Sequence, residues 1–175
     1  MIRRTGQCFL IYSFLGWVLE GIFHLAKEGT FHKPNFLHGP VKPMYGFAGV
    51  LLAGSFRYDR RHFLYLACLL PLVVEYISAW WLEQRYALKY WDYSREALQV
   101  NGRICLKFAL CWVVLAQVVV YMVQPLLNVF LHIVGRLSVW KTLFRVFFAD
   151  CVITMHQRRN QCKVQNTIKQ IQKQI

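Results

Sequence analysis

The feature that most constrains this chain is a series of apolar runs long enough to cross a lipid bilayer. About 20 predominantly apolar residues span the hydrocarbon core as a helix. Measured against that length, five candidate segments lie at about 8–26, 43–56, 62–82, 104–134 and 137–155. Because lipid offers the backbone no hydrogen-bonding partner, each span is expected to be helical. The sequence therefore predicts an all-α, polytopic membrane protein with about five transmembrane helices.

Four of the five segments depart from a simple span. Segment 43–56 is short and reaches spanning length only if Tyr45 and Gly46 lie inside the membrane. Pro71 and Pro125 interrupt the third and fourth segments, where proline kinks a helix but is tolerated if neighbouring groups satisfy the freed backbone. The fifth segment is the weakest candidate because it contains three charged residues, namely Lys141, Arg145 and Asp150.

The composition separates a membrane protein from a nucleic-acid-binding one. Of the 175 residues 57% are hydrophobic, and 21 Lys and Arg against 8 Asp and Glu give a net charge of +13. The basic residues lie at the ends of apolar runs instead of forming one patch, which is typical of loops that flank membrane helices. The expected partners are membrane lipids, including anionic head groups, and no nucleic acid is expected.

Several classes of chemistry lack their sequence signatures. The six cysteines form no C-x-x-C pair and have no histidine at metal-ligand spacing, so free thiols and no metal site are predicted. Neither a glycine-rich phosphate loop nor a nucleophile elbow is present in the sequence. We therefore predict no cofactor and no catalytic residue, and the chain is not expected to hydrolyse ATP.

The chain divides by composition near residue 156. Residues 1–156 are predicted to form the transmembrane helical domain, and 157–175 a basic tail rich in Gln and Lys. Isoleucines at helical spacing in the tail allow a short amphipathic helix on the membrane surface, and disorder is the alternative. A weak asymmetry of Lys and Arg between the loops favours a cytoplasmic N-terminus. The predicted location is the cell membrane, crossed several times.

Acidic residues on separate helices are predicted to share one depth. Tyr12, Gly16, Glu20 and His24 follow at four-residue spacing and therefore form one helix face. A charge near the bilayer centre costs roughly 2.5 to 3.5 kcal/mol, so this face should point into the bundle. Glu75 lies about as far past its segment midpoint as Glu20 does, roughly 4 to 5 Å at the helical rise.

The acids at this depth, Glu20 and Glu75, are expected to face basic residues at the start of the fourth segment, next to the third loop (83–103). Asp150 is displaced in the same direction as the other two acids, and Arg103 and Lys107 lie four residues apart at the start of the fourth segment. Long basic side chains reach several ångströms below the interface. The cluster is either an ion-pair network that only fixes helix packing or a site for a substrate, ion or proton.

The predicted binding site combines this charged cluster with an aromatic and polar entrance. Loop one (27–42) joins the first two segments, and loop three (83–103) joins the third and fourth. The two loops lie at the same end of the bundle if the helices alternate in direction, so their polar motifs can meet. Loop one, with two prolines three residues apart, is either a re-entrant or capping segment or a rigid turn. The predicted binding residues are Glu20, Glu75, Arg103 and Asn101, with Trp17, Tyr45, Asp92 and Tyr93 shaping the entrance.

Five motifs occur in order along the chain. They are Tyr12-Ser13-x-x-Gly16-Trp17-x-x-Glu20, Gly39-Pro40-x-x-Pro43-x-Tyr45-Gly46, Glu75-Tyr76, Trp91-Asp92-Tyr93-Ser94 and Gly102-Arg103-Ile104-Cys105-Leu106. With this series the chain resembles the bacterial ABC-transporter type IV (CmpB-like) permeases over about residues 8–155, and an animal transmembrane family shares the tetrapeptide at 91–94. The resemblance implies a permease-like integral membrane protein.

Three functions follow from these expectations. The first is a permease-type or solute-binding membrane component for a small solute, an ion or a lipid head group. The second is a membrane enzyme acting on a lipid or prenyl phosphate, with Glu20 or Glu75 as general base and Arg103 holding the phosphate. The third is a non-catalytic subunit of a membrane complex. A chain of 175 residues is expected to act as a homo-oligomer or with partner membrane subunits.

Overall fold

The computed structural model describes residues 2–31, 34–58 and 62–172, with the backbone alone at positions 166, 169 and 171. The regular secondary structure of the described chain is helical apart from one short hairpin. Its helices are α1 (Ile2–Glu28), α2 (Pro43–Tyr58), α3 (Phe63–Tyr86), α4 (Leu106–Val118), α5 (Gln124–Val134) and α6 (Val139–Gln172), with a π turn (Val119–Val123) joining α4 to α5.

Three helical segments of the described chain are long and apolar enough to cross a membrane. They are α1 with 27 residues, α3 with 24, and the continuous segment Leu106–Val134 with 29. Apolar side chains on that last segment point outward, since Leu110, Leu126 and Ile133 are 60%, 69% and 72% exposed. Such a surface is covered by lipid in a membrane protein. A count of about five spans, with α2 at 16 residues and α6 included, stays a prediction.

Helices α1 and α2 approach closely because glycines replace side chains at their contact. A Cβ atom on Gly16 would lie 2.1 Å from the Tyr45 ring, and one on Gly46 would lie 2.2 Å from Ser13 Oγ. The connecting loop ends against α1, where the Lys42 backbone N–H donates to the Ser13 carbonyl over 2.9 Å. Small residues permit this backbone approach, and they place the start of α2 against the polar face of α1.

Two apolar clusters hold the remaining helices. One contains Leu52 of α2, Phe63 of α3 and Ala116 of α4. The other contains Leu10 of α1, Leu131 of α5 and Trp140 of α6. The first cluster fixes the three central helices to one another, and the second fixes α5 and the start of α6 to the beginning of α1.

The predicted fourth segment contains an irregular turn next to its proline. The π turn precedes α5, and Pro125 lies in the first turn of α5. A π turn accommodates one more residue than an α turn, and proline is tolerated where a helix turn begins. The helical path therefore continues through Pro125 to Val134.

Loop three contains a hairpin that the sequence did not predict. Strands β1 (Gln99–Val100) and β2 (Ile104–Cys105) pair antiparallel. Asn101 and Gly102 between them have φ values of 52° and 67°. Asn and Gly are the residues that adopt this left-handed conformation most readily, so the chain reverses here, and α4 begins at Leu106 instead of at Ile104.

Loops one and three meet at one end of the bundle, as predicted. The ring of Phe36 in loop one lies 5.2 Å from that of Tyr86 at the end of α3 and 6.5 Å from that of Tyr90 in loop three, measured between centroids. Whether loop one re-enters or caps the membrane stays a prediction.

Helix α6 is longer than the predicted fifth segment. It runs without a break from Val139 to Gln172, across the proposed boundary at 156 and into the basic tail. The helical alternative for the tail is therefore what the structure shows as far as residue 172. The division into two domains is still a prediction.

Candidate functional site

A groove of about 1460 Å³ opens between α1, α2, α3 and α4, under the end of the bundle where loops one and three meet. Its lining is mostly apolar, and α1, α3, α4 and the two loops also contribute charged or polar side chains. The apolar lining includes Leu19 and Phe23 of α1, Phe47 and Leu51 of α2, and Leu110 and Val114 of α4. These six side chains are also exposed, so the groove is continuous with the apolar outer surface.

Glu75 is the most deeply placed acid of the groove. It is 4% exposed, and its two carboxylate oxygens each accept one hydrogen bond. Tyr93 Oη donates to Oε1 over 3.0 Å, and Trp112 Nε1 donates to Oε2 over 2.9 Å. In the part of the chain that the structure describes, no Lys, Arg or His forms an ion pair with Glu75. The carboxylate is thus held by neutral donors.

Aromatic rings fix both donors of Glu75. The Tyr93 ring stacks on Phe108 with centroids 4.7 Å apart, and the Trp112 ring lies 5.4 Å from that of Tyr45. Burial, together with the nearby Glu75 charge, raises the pKa of the Tyr93 phenol well above its usual range. Tyr93 therefore keeps its proton and remains a hydrogen-bond donor.

Glu20 lies in the same groove in a different environment. Its carboxylate is ion-paired with the Lys42 ammonium at the end of loop one, and the two side chains are 15% and 14% exposed. Both residues line the groove, as Glu75 does. The prediction that acids of the first and third segments face one interior region agrees with this placement.

Arg103 does not oppose these acids, and that prediction is wrong. Its Nε and Nη2 atoms donate to Glu83 Oε2 over 2.9 and 2.6 Å, and Nη1 donates to Tyr76 Oη over 2.9 Å. Asn101 also donates to Tyr76 Oη, over 2.9 Å. The hairpin turns both side chains toward the Tyr76 hydroxyl, and Arg103 also reaches Glu83, two helical turns beyond Glu75. The hydrogen bond that Arg103 donates to Glu83 raises the pKa of Arg103.

The other two charged residues predicted for the cluster, Asp150 and Lys107, also bind separate partners. Asp150 accepts from the backbone N–H groups of His38 and Gly39 over 3.2 and 2.8 Å, and so joins α6 to loop one. Lys107 pairs with Glu96, 3.5 Å away. Neither residue extends a single cluster around Glu75, because each has a nearer partner from a loop.

Asp92 shapes a turn at the edge of the groove. Its Oδ1 atom accepts from the backbone N–H and the hydroxyl of Ser94 over 2.9 and 2.5 Å, and Lys89 lies 2.9 Å from Oδ2. The Ser94 hydrogen bonds and the Lys89 contact lower the pKa of Asp92. A Cβ atom on Gly102 would lie 2.8 Å from Asp92 Oδ1, so glycine is required where this turn meets the hairpin.

Of the predicted entrance residues, Tyr45, Asp92 and Tyr93 line the groove, whereas Trp17 packs elsewhere. Trp17 stacks on Phe14 and contacts Phe31 edge to face, with centroids 6.1 and 5.3 Å apart. A binding role for any of these residues stays a prediction.

Sequence reasoning missed three residues of this region. Trp112 supplies a donor to Glu75, Lys42 the cation for Glu20, and Glu83 the anion for Arg103. A buried indole N–H generally needs an acceptor, which could have directed attention to Trp112. The other two lie near helix ends, where sequence spacing does not fix the partner.

The motif residues contact one another across the fold. Besides Gly16 with Tyr45, Ser13 with Gly46, and Glu75 with Tyr93, the indole N–H of Trp91 donates to the Arg103 carbonyl over 2.9 Å. Five separated stretches of the sequence thus form one connected arrangement around the groove.

Comparison with known proteins gives a family but no individual relative. No curated protein and no solved structure matches the chain. The family described as "Putative ABC-transporter type IV" matches residues 7–155, which include the groove, the glycine contact of α1 with α2, and the hairpin. The chain therefore belongs to this family of membrane proteins.

Proposed function

We propose that this chain is a permease-like membrane component that binds an amphipathic solute in the groove, with the Glu75 carboxylate receiving a cationic group of that solute. The single observation that carries the proposal is a buried carboxylate, held by two neutral donors, in the wall of an apolar groove.

The apolar lining supports a ligand with a substantial hydrocarbon or aromatic part. Pockets for drug-sized molecules are about 300 to 1,000 Å³, and the groove is larger, at about 1460 Å³. Since its wall is continuous with the lipid-facing surface, an amphipathic molecule can enter from the membrane without first crossing water. The apolar part would lie along α1, α2 and α4.

The polar end of the ligand is indicated by the contrast between the two acids. The charge of Glu20 is compensated by Lys42 within the chain. Glu75 receives only hydrogen bonds from uncharged groups. A carboxylate near the middle of a membrane helix is costly and generally marks a function, and a cationic ligand group would supply the missing charge.

Family membership supports a role in transport. We propose that the chain works in the cell membrane as a homo-oligomer or with partner subunits, because a groove open along its side is completed by a neighbouring chain or by lipid. The lipid-enzyme alternative needs Arg103 to hold a phosphate, whereas Arg103 is bonded to Glu83 and Tyr76. Solute binding therefore accounts better for the arrangement.

Binding of a lipophilic ion tests the proposal. Tetraphenylphosphonium, an apolar cation, would be titrated into the purified full chain in uncharged detergent, with tetraphenylborate as the anion of matched shape. We expect the cation to bind with at least tenfold higher affinity than the anion, since opposite unit charges about 4 Å apart attract by about 4 kcal/mol at an effective dielectric constant of about 20, and like charges repel equally.

Two isosteric variants provide the control. Glu75→Gln should weaken binding of the cation about tenfold or more. The double variant Glu20→Gln with Lys42→Met removes the ion pair and keeps the net charge of the groove, so it should change cation binding by less than about threefold. Equal affinity for both ions, or equal losses in both variants, would contradict the proposal.

A further inference from the structure

The second cavity of interest lies at the opposite end of the bundle, remote from the groove in the fold. It has a volume of about 400 Å³ and is lined by residues from the start of α1 and the end of α5. Among the residues that the structure describes, its charged or titratable lining residues are all basic or histidine. They are Arg3, Arg4, His132 and Arg136.

The geometry points to a phosphate-binding site in this cavity. We infer that Arg3, Arg4 and Arg136 hold the anionic oxygens of a phosphate group, provided either by a phospholipid head group or by free phosphate. Guanidinium groups bind phosphate oxygens with strong, often bidentate, charge-assisted hydrogen bonds.

The three arginines line the cavity without a carboxylate partner among the residues that the structure describes. None of Arg3, Arg4 and Arg136 forms an ion pair there with a carboxylate. Like charges that share one cavity repel one another, so the three side chains favour the entry of an anion. An anionic ligand would remove that repulsion.

Two hydrogen bonds to one carbonyl make the cavity a defined site. The exposed Arg3, through Nη2, and the buried Gln7, through Nε2, both donate to the Gly135 carbonyl, over 2.6 and 2.8 Å. These bonds fix Arg3 and Gln7 relative to the turn that carries Arg136. Glycine is required in this turn, since a Cβ atom on Gly135 would lie 2.2 Å from the Leu131 carbonyl oxygen.

The position of the cavity suits a lipid phosphate at the membrane boundary. Arg136 follows the apolar helix α5, and its neighbours Ile133 and Leu137 are 72% and 56% exposed. Basic residues at the end of an apolar helix lie at head-group level. A head group could reach the three guanidinium groups while its chains remain along the exposed face of α5.

Calorimetric titration of the full chain in uncharged detergent tests the assignment. The probes are short-chain phosphatidylglycerol, short-chain phosphatidylcholine and inorganic phosphate at constant ionic strength. Preference for phosphatidylglycerol identifies a lipid head group, and binding of inorganic phosphate of equal or greater strength identifies the free ion. Both results support the site, whereas binding of neither anionic probe would overturn it.

A charge-matched pair of variants separates a defined site from general attraction to a basic protein. The double variant Arg4→Gln with Arg136→Gln should bind the preferred probe at least tenfold more weakly. Arg57→Gln with Arg145→Gln removes the same charge from exposed positions outside the cavity lining and should leave affinity within about twofold. Equal weakening in both double variants, or none in the first, would overturn the inference. Each variant's melting temperature without probe, compared with that of the unaltered chain, reports whether it is folded.

Discussion

Two glutamates line one groove and are stabilised in different ways. Glu20 is neutralised by the Lys42 ammonium, while Glu75 is held by the phenol of Tyr93 and the indole of Trp112. An ion pair cancels the charge within the chain, whereas neutral donors orient a carboxylate without cancelling it. Similar residues at similar depth can therefore differ in function, and we propose that Glu20 contributes to packing and Glu75 to ligand binding.

The largest expected effect comes from removing the cation of the pair. Lys42→Met should reduce the free energy of unfolding by about 2 to 3 kcal/mol, because it leaves a mostly buried carboxylate without its ammonium partner. Denaturant titration in detergent measures the loss. The double variant with Glu20→Gln should recover part of it, and a double variant as unstable as Lys42→Met would show that the pair is not coupled.

A smaller loss is expected when Glu75 loses one neutral donor. Trp112→Phe keeps an aromatic ring beside Tyr45 but removes the bond to Oε2, so unfolding should become easier by about 1 to 2 kcal/mol. The same titration checks this value. No loss of stability would show that the indole contributes little to holding the carboxylate.

Neutralising Glu75 should affect stability less than Lys42→Met or Trp112→Phe does. Glu75→Gln has nearly the same shape and keeps an oxygen acceptor, so we expect the free energy of unfolding to change by about 1 kcal/mol or less. Its main effect should be on cation binding. If the melting temperature falls as far as it does in Lys42→Met, Glu75 would be a packing residue and the comparison of the two acids would fail.

The smallest effect concerns the exposed turn at Asp92. Because hydrogen bonds from Ser94 and contact with Lys89 lower the pKa of Asp92 in the folded chain, its stabilising contribution is complete above the unfolded pKa of about 3.9 and declines as the pH falls below it. Melting temperatures at pH 7 and pH 3 should therefore differ slightly less in Asp92→Asn than in the unaltered chain. An identical pH dependence in both would show that the turn contributes nothing.

The arrangement of helices could be predicted well because the apolar runs determine it. Segments 8–26 and 62–82 correspond to α1 and α3. Helix α1 extends beyond its segment at both ends, whereas α3 begins at Phe63 and extends further only at its C-terminal end. The meeting of loops one and three followed from alternating helix direction. The hairpin was missed because β1 and β2 are only two residues each, too short to produce a periodic pattern.

The site was only partly predictable because spacing along a helix fixes depth but not partner. The depth of each residue along its helix correctly indicated that Glu20 and Glu75 face one region, and both line the groove. The partner of Arg103 depends on the direction in which the hairpin turns its side chain, and the sequence does not contain that angle. Glu83, eight residues beyond Glu75, became its acceptor.

The five-residue π turn before α5 makes the length of this region more critical than its composition. One residue corresponds to about 100° of helix rotation. Deleting a single residue within Val119–Val123 would therefore rotate α5 about its axis and turn Leu131 away from Leu10 and Trp140, which it contacts now. Apolar replacements in the π turn should be tolerated, whereas the insertion or deletion of one residue should disrupt the packing of α5 against α1 and α6.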